Sequence, residues 1–487
     1  MKRRMISMLL LASTLLASCG GTGSGTESTA DAPGETSGTT DTETEKLTSG
    51  LEAVDYGGEE INFLTYKNSD YQNSQMDILA ETLNGEHVND AVYNRNKTLE
   101  EKYNVVIKSD GDSSFDALAA AVNKLVMAGD DTYDIFLMST VNAFKCGFTG
   151  NLLPMNEIPH IDLSKPWWNS RIAEDTSILG VNYFYIGDMN LNTWTQSYVT
   201  YFNKKLAVDY DIPDLYGTVK SGKWTFGELT RLTKTVYKDL NGNGEYDEND
   251  LYGLSACSVC IDCFWISSGV RFISKDAEDG LTLSIDEKVY NMWERMAALL
   301  DTPEMLYTDR KQYTKMRDTY DRGAFTEDRA LFFIEGLCVA SNKLRDMETD
   351  YGIIPVPKND ESQENYSVYS HATHNSTVSV PTTSSGKLDM LGRIIEDMAY
   401  FSSETVRPAY YEMMLAGKLA RAEEDVEMLG IITNSISYDL AYSLLDMWSL
   451  RSAVTSKPAA SYIESQRSTY EKAINKAMDS VRENTAS

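Results

Sequence analysis

An α/β fold is predicted, on three observations. Short apolar runs alternate with amphipathic helical stretches from residue 61 to residue 138, further strand-like runs follow as far as residue 380, and the C-terminal third is helical. Composition allows it, because 487 residues with 42% hydrophobic and 24% charged side chains suffice for two or three domains with real cores. Taken in order, Ile61 to Tyr66 (INFLTY) reads as a strand, and Val88, Val92, Leu99 and Tyr103 then share one helical face. Asn104 to Lys108 (NVVIK) is a second strand, Phe115 to Met127 an Ala-rich helix, and Tyr133 to Met138 (YDIFLM) a third strand. This β-α-β-α-β order predicts a mostly parallel sheet flanked by helices, with ligands beyond the carboxyl ends of its strands. Tyr66, Ser139, Thr140 and Asn142 stand just past such ends.

Later strand readings fall at Tyr183 to Ile186, Tyr198 to Phe202, Ala330 to Ile334, Tyr351 to Val356 and Thr377 to Val380. Toward the C-terminus Leu440, Leu444 and Trp448 share a helical face, as do Tyr470, Ile474 and Met478. Polar stretches near Lys358 to Asn365 and Thr382 to Lys387 are candidate connections, and no internal repeat is visible.

The formal charge is −29, from 44 basic and 73 acidic side chains. A surface of this sign repels phosphates and anionic headgroups, which argues against nucleic-acid binding and against a polybasic membrane patch. Six cysteines and four histidines are too few for a disulfide scaffold or a multi-zinc protein, whereas 29 tyrosines and 7 tryptophans make aromatic surface a theme. Lys2, Arg3 and Arg4 precede an apolar run from Met5 to Ala17, the charged and hydrophobic parts of a secretory signal spanning residues 1–18. That run is shorter than the roughly 20 residues a spanning helix needs. It ends in Leu16-Ala17-Ser18-Cys19-Gly20, which resembles the lipobox of bacterial lipoproteins and makes Cys19 the expected site of a diacylglyceryl anchor. Beyond Cys19 itself, residues 19–50 are almost wholly Gly, Ser, Thr and acids with Leu47 as the one large core former, a tether rather than a fold. As a coil it would reach about 30 Å from the membrane.

The segment from Asp239 to Asp250 has the spacing of a calcium loop. Asp239, Asn241, Asn243, Asp247 and Asp250 put oxygen side chains at positions 1, 3, 5, 9 and 12, Gly244 stands at the sharp turn, and Glu245 offers its carbonyl at position 7. Thr225-Phe226-Gly227-Glu228 is a capping box that opens an entering helix along Leu229, Leu232 and Val236. Asp replaces the usual Glu at position 12, and Leu251-Tyr252-Gly253-Leu254 reads as a strand, so the motif is half an EF-hand with a structural Ca²⁺, or else an acidic turn.

Several short motifs occur in a characteristic order. They are Asn89-Asp90-Ala91-Val92-Tyr93-Asn94-Arg95-Asn96, Tyr133-Asp134-Ile135-Phe136, Asp162-Leu163-Ser164-Lys165-Pro166-Trp167-Trp168 and Phe202-Asn203-Lys204-Lys205-Leu206. After them come Gly222-Lys223-Trp224-Thr225, Tyr252-Gly253-Leu254 behind the acidic loop, Phe332-Phe333-Ile334-Glu335-Gly336 and Gly352-Ile353-Ile354-Pro355-Val356-Pro357. Over most of the chain from about residue 57, this order resembles the family 1 extracellular solute-binding proteins of bacterial ABC importers, notably the carbohydrate-binding lipoproteins. The resemblance implies a two-lobed, type II periplasmic-binding-protein-like fold that closes on solute by a hinge. It places lobe one at 51–198 and 366–418, and lobe two, with the calcium loop, at 199–365 and 419–487. The chain would cross near Tyr198 to Tyr201, Ser362 to Ser370 and Leu415 to Ala420. It also implies a monomer that needs no catalytic residue, an ABC permease as partner, and a place on the outer face of the cell membrane.

Sugar sites pair flat rings with polar side chains that bond hydroxyls. Candidates are Tyr66 and Asn142 at strand ends, Trp194 and Gln196 before the first crossing, Asp262 and Trp265 after the acidic loop, and His371, with His374, at the second crossing. Trp167, Trp168 and Trp224 suit core positions better. Cys257, Cys260 and Cys263 imitate the start of a cluster motif but lack a nearby fourth Cys, so a disulfide or buried thiols are expected. Among other reactions a surface glycoside hydrolase or lyase is the alternative, and a calcium-dependent adhesion module is a third reading, weakened by the single loop.

Overall fold

The computed structural model describes residues 47–67, 73–111, 114–247, 249–308, 323–416 and 423–486. The signal, Cys19 and the tether up to residue 46 lie outside the described residues. In chain order the strands are β1 (Glu59–Leu64), β2 (Val105–Asp110), β3 (Ile135–Met138), β4 (Tyr198–Asn203), β5 (Tyr252–Ala256), β6 (Ile273–Lys275), β7 (Leu281–Leu283), β8 (Met305–Tyr307), β9 (Ala330–Gly336), β10 (Tyr351–Pro355), β11 (Val368–Tyr369), β12 (Thr377–Ser379) and β13 (Ile436–Ser437).

The first sheet has the order β12-β3-β1-β2. β1, β2 and β3 are parallel, as their alternation with helices predicts, and β12 joins antiparallel to β3 with Val378 opposite Leu137. The helix His87–Tyr103 buries Val88, Val92, Leu99 and Tyr103, and the helix Phe115–Met127 follows β2. Arg95 and Asn96 are buried on the first of these helices. Arg95 donates to the Asp77 carbonyl at 2.7 Å and to Ser402 Oγ at 3.0 Å, and Asn96 to the Ile78 carbonyl at 2.8 Å, which ties this helix to two distant segments.

The second sheet has the order β10-β4-β9-β5-β8, with β4 antiparallel to both neighbours and β9, β5 and β8 parallel. Asn203 ends β4 and caps the next helix through Leu206 N–H at 2.9 Å. Trp224 is fully buried and donates to the Pro355 carbonyl at 2.7 Å, while Thr225 caps the helix Phe226–Thr233. Gly253 is required in β5, because a Cβ there would stand 1.9 Å from the Thr233 carbonyl oxygen.

Three local expectations are corrected. The stretch Tyr183 to Ile186 is not a strand: it makes one bridge, Tyr185 to Val378, because its neighbour β12 offers only three residues. The helix entering the acidic loop stops at Thr233, where the β-branched run Thr233, Thr235 and Val236 disfavours continuation, and a Lys238–Leu251 bridge closes the loop instead. Leu440, Leu444 and Trp448 do not share a helix. Leu445 is extended, and Asp446 caps a new helix, Met447–Val454, through Ser449 N–H at 3.0 Å. Farther on, the helix Ala459–Thr485 buries Tyr470, Ile474 and Met478 as read.

Between the sheets Ser197 bridges Ser370, and β11 pairs in parallel with β13. The expected third crossing falls, from residue 417 to 420, outside the described residues. The β6–β7 hairpin rests on the 177–180 stretch, through Leu179 N–H to the Asp279 carbonyl at 3.1 Å and Lys275 to Ser177 Oγ at 2.9 Å. No helix among the described residues is long and apolar enough to cross a membrane.

Candidate functional site

The carboxyl ends of β1 and β3 meet the first two crossing segments in one polar knot. Tyr66, just past β1, is fully buried; its hydroxyl donates to the His374 carbonyl at 2.5 Å and accepts from Asn192 Nδ2 at 2.9 Å. Past β3, Ser139 caps a helix through Asn142 N–H at 3.4 Å, and Thr140 N–H and Oγ1 donate to Asn375 Oδ1 at 3.0 and 2.7 Å. His371 N–H donates to the Gln196 carbonyl at 3.0 Å. The structure therefore brings Tyr66, Asn142, Gln196 and His371 together. The first three are almost fully buried and His371 is half-buried.

An aromatic path leads out of this knot. The imidazoles of His371 and His374 stack at 4.0 Å and 10°. Tyr369 lies 5.8 Å from His371, 5.9 Å from Tyr198 and 5.1 Å from Tyr442. The Tyr442 hydroxyl donates to the Asp262 carbonyl at 3.3 Å, and the Asp262 carboxylate pairs with Arg451. Burial pushes the Asp262 carboxyl up to about 6, and Arg451 opposes the shift. The Arg451 guanidinium lies 5.1 Å from the ring centre of Trp448, which is 70% exposed.

Trp448 is the residue the periodicity hid. Its spacing from Leu440 and Leu444 reads as core, yet the helix break at Leu445–Asp446 rotates it to solvent, where its charge-backed indole face is free to stack. Asp446, a capping residue two positions before it, was the available signal. The other candidates are placed elsewhere. Trp194 is 5% exposed, 5.9 Å from Tyr410 and under the Arg407 guanidinium. Trp265 is 1% exposed in the second sheet's core, between Phe272 and Trp293, so it offers no face to a ligand. Trp167 and Trp168 are also buried, and their indole N–H groups donate to the two oxygens of Glu396 at 2.9 and 2.7 Å.

The acidic loop turns its side chains inward on N–H donors. Asp239 accepts from Gly242 and Gly244 N–H at 2.6 and 2.8 Å, and Asp247 from Asn241 and Asn243 Nδ2 at 2.9 and 2.7 Å. Fully buried Asp250 accepts from Leu240 and Asp247 N–H at 3.2 and 3.1 Å. Glu245 is exposed, and its N–H donates to Asn243 Oδ1 at 2.7 Å. Gly242 and Gly244 hold φ of 71° and 75°, as the tight turn demands. These oxygens are engaged by the loop's own N–H donors, and no group of three or more His, Cys, Asp or Glu positioned for a metal is found among the described residues. Cys146, Cys257, Cys260, Cys263 and Cys338 are buried thiols without disulfides.

No protein-family model and no curated protein matches the chain. Solved structures do. A cyclo/maltodextrin-binding protein complexed with maltotetraose matches with TM-score 0.53 at 12% identity, over 88% of this chain and 97% of that one. A family 1 extracellular solute-binding protein from Bifidobacterium longum subsp. infantis gives 0.51 at 11%, over 88% and 100%. A sugar transporter from Rhizobium etli in an open conformation gives 0.53 at 13%, over 87% and 99%. The chain has the fold of the family 1 solute-binding proteins. The path from His374 to Trp448 runs from the segment around Ser370, which bridges Ser197, to the helix Met447–Val454.

Proposed function

We propose that the protein is an extracellular solute-binding protein that captures a neutral carbohydrate between its lobes and hands it to an ABC-type permease. The observation that carries this is the run of rings His374, His371, Tyr369, Tyr442 and Trp448, with the Asp262–Arg451 pair beneath it, at the junction of the lobes. The exposed indole of Trp448 and the half-buried rings of Tyr442, His371 and His374, with buried Tyr369 packed beneath them, offer flat faces that suit pyranose rings, and the protein of like fold holding maltotetraose supports an oligosaccharide. Capture needs hinge closure and no chemistry. The expected setting is export by the signal peptide and anchoring through lipidated Cys19 as a monomer. Ca²⁺ would be held by Asp239, Asn241, Asn243, the Glu245 carbonyl, Asp247 and Asp250 as a structural clip in lobe two.

A thermal-shift screen across saccharides tests the reading. A ligand specific to the folded, closed state stabilises by about 2.7 kcal/mol at 100 times its Kd. A shift with an oligosaccharide recovered unaltered is the expected result. Shifts with peptides alone would remove the sugar assignment, and release of reducing ends would replace binding by hydrolysis.

A further inference from the structure

Outside the aromatic path, a turn tied to the first sheet meets a hairpin tied to the second. The turn is Ile178–Val181, whose end residues exchange two backbone hydrogen bonds at 3.0 Å. From it the chain reaches Tyr185, which bridges Val378 in β12. The middle residues, Leu179 and Gly180, hold φ of 53° and 76°, the left-handed pair of a two-residue hairpin turn. Glycine adopts this at no cost, whereas Leu179 is strained by it. Opposite stands the β6–β7 hairpin, which follows β5 and the helix Val259–Ser267 and is anchored there by Phe272 against Trp265 at 5.1 Å. Its tip is shaped by Asp276, whose Oδ1 accepts from Glu278 and Gly280 N–H at 2.9 and 2.8 Å.

The turn does not use the N–H groups of its left-handed pair, and Asp279 at the hairpin tip takes both. Leu179 N–H donates to the Asp279 carbonyl at 3.1 Å and Gly180 N–H to Asp279 Oδ2 at 3.0 Å. Lys275 completes the contact: it pairs with Asp279 Oδ1 at 3.0 Å and donates to Ser177 Oγ at 2.9 Å and to the Glu174 carbonyl. Lys275 and Asp279 are 22% and 23% exposed, so water can replace these bonds when the two sides part. Strained backbone persists where its surroundings hold it, and it collects at clamps and switches. Two further links, Arg171 Nη2 to Ser367 Oγ at 3.0 Å and Tyr438 N–H to Asp175 Oδ2 at 2.9 Å, stand next to β11 and β13, close to the crossing segments, where a hinge rotation moves atoms least. The hairpin contact is set apart from them and must break for the lobes to part.

We propose that the β6–β7 hairpin and the Ile178–Val181 turn form a clasp that holds the two lobes together without ligand, so that Asp279 and Lys275 set the open–closed ratio from outside the ligand site. The clasp rests on the two-lobed fold and its test uses no ligand, so a failed sugar screen leaves it standing, and its own failure leaves the sugar reading untouched. Spin labels are placed through Met127→Cys and Val208→Cys, at positions 82% and 77% exposed on the helices Phe115–Met127 and Lys204–Asp209, in the full chain carrying Cys19→Ser. The described native cysteines are buried thiols and stay unlabelled. Double electron–electron resonance on the unliganded chain should give one dominant distance. Asp279→Gly keeps the left-handed backbone and removes the carboxylate; it should add a second, longer distance, with the open-to-closed ratio raised about tenfold, as the loss of a charge-assisted hydrogen bond requires. Lys275→Ala should act the same way and decides the matter should Asp279→Gly fail to fold. The urea midpoint should hardly move in either, which separates a clasp from a merely structural contact. The proposal is overturned if the longer distance already dominates in the parent, if the folded variants keep the parent's distance distribution, or if the urea midpoint falls while the distances stay.

Discussion

Trp448→Ala separates a ligand platform from a structural tryptophan. With 70% of its surface exposed, Trp448 contributes little to the core. Its loss removes the stacking on Arg451, about 0.5–1 kcal/mol at an exposed site, so the melting temperature should hardly move. A sugar ring lying on the indole would cover on the order of 60 Å² of apolar surface, and at about 25 cal/mol per Å² this is about 1.5 kcal/mol. Affinity for the oligosaccharide that gives the largest thermal shift should therefore fall about tenfold. Trp265→Ala supplies the contrast: the same side chain at 1% exposure should cost about 3–5 kcal/mol of stability. Isothermal titration and urea unfolding on both variants measure the two quantities. Unchanged affinity in Trp448→Ala, or a stability loss comparable with that of Trp265→Ala, would refute the argument.

The remaining predictions concern stability. Glu396→Ala strands the two indole N–H groups of Trp167 and Trp168 and the Asp162 N–H, so urea unfolding should show a loss of about 2–5 kcal/mol, with Glu396→Gln milder because it keeps one acceptor. Calcium should raise the melting temperature and Asp239→Ala should remove that rise; identical curves in calcium and chelator would end the assignment. Burial lifts Asp77 to about 7, well above the value near 3.9 of an unfolded Asp, while Ser376, the Asn192 N–H and Arg95 oppose it. The folded state therefore holds that proton to higher pH than the unfolded one. Its stabilising contribution is present below about pH 4 and lost as pH rises to about 7. Asp77→Asn should flatten the stability profile across that window relative to the parent, and parallel profiles would contradict the assignment.

Local elements of the first lobe were legible because each rests on a short-range period: the alternation of β1 to β3 and the Val88, Val92, Leu99, Tyr103 stripe recur in place. Of the acidic loop only the turn at Gly242 and Gly244 was legible, because their positive φ follows from residue type, whereas the helix expected to lead into it stops at Thr233. What could not be read is how distant segments dock, and there buried charge decides. Glu396 sits inside the helix Leu388–Phe401, where an acid reads as solvent-facing, yet it satisfies two tryptophans more than two hundred residues earlier. Asp262 meets Arg451, and Asp397 on the same helix as Glu396 accepts from Tyr103 at 2.7 Å. None of these partnerships has a sequence period, because they are set by which donors remain unpaired once the sheets have formed. Trp448 shows both a local and a distant cause: the helix break at Leu445–Asp446 exposes it, and Arg451, held by Asp262, lies against its ring. The few buried acids, among them Asp262, Glu396 and Asp397, tie distant segments of the chain to each other. Removing one should therefore disturb ligand affinity and stability together, whereas removing an exposed ring of the path should disturb affinity alone.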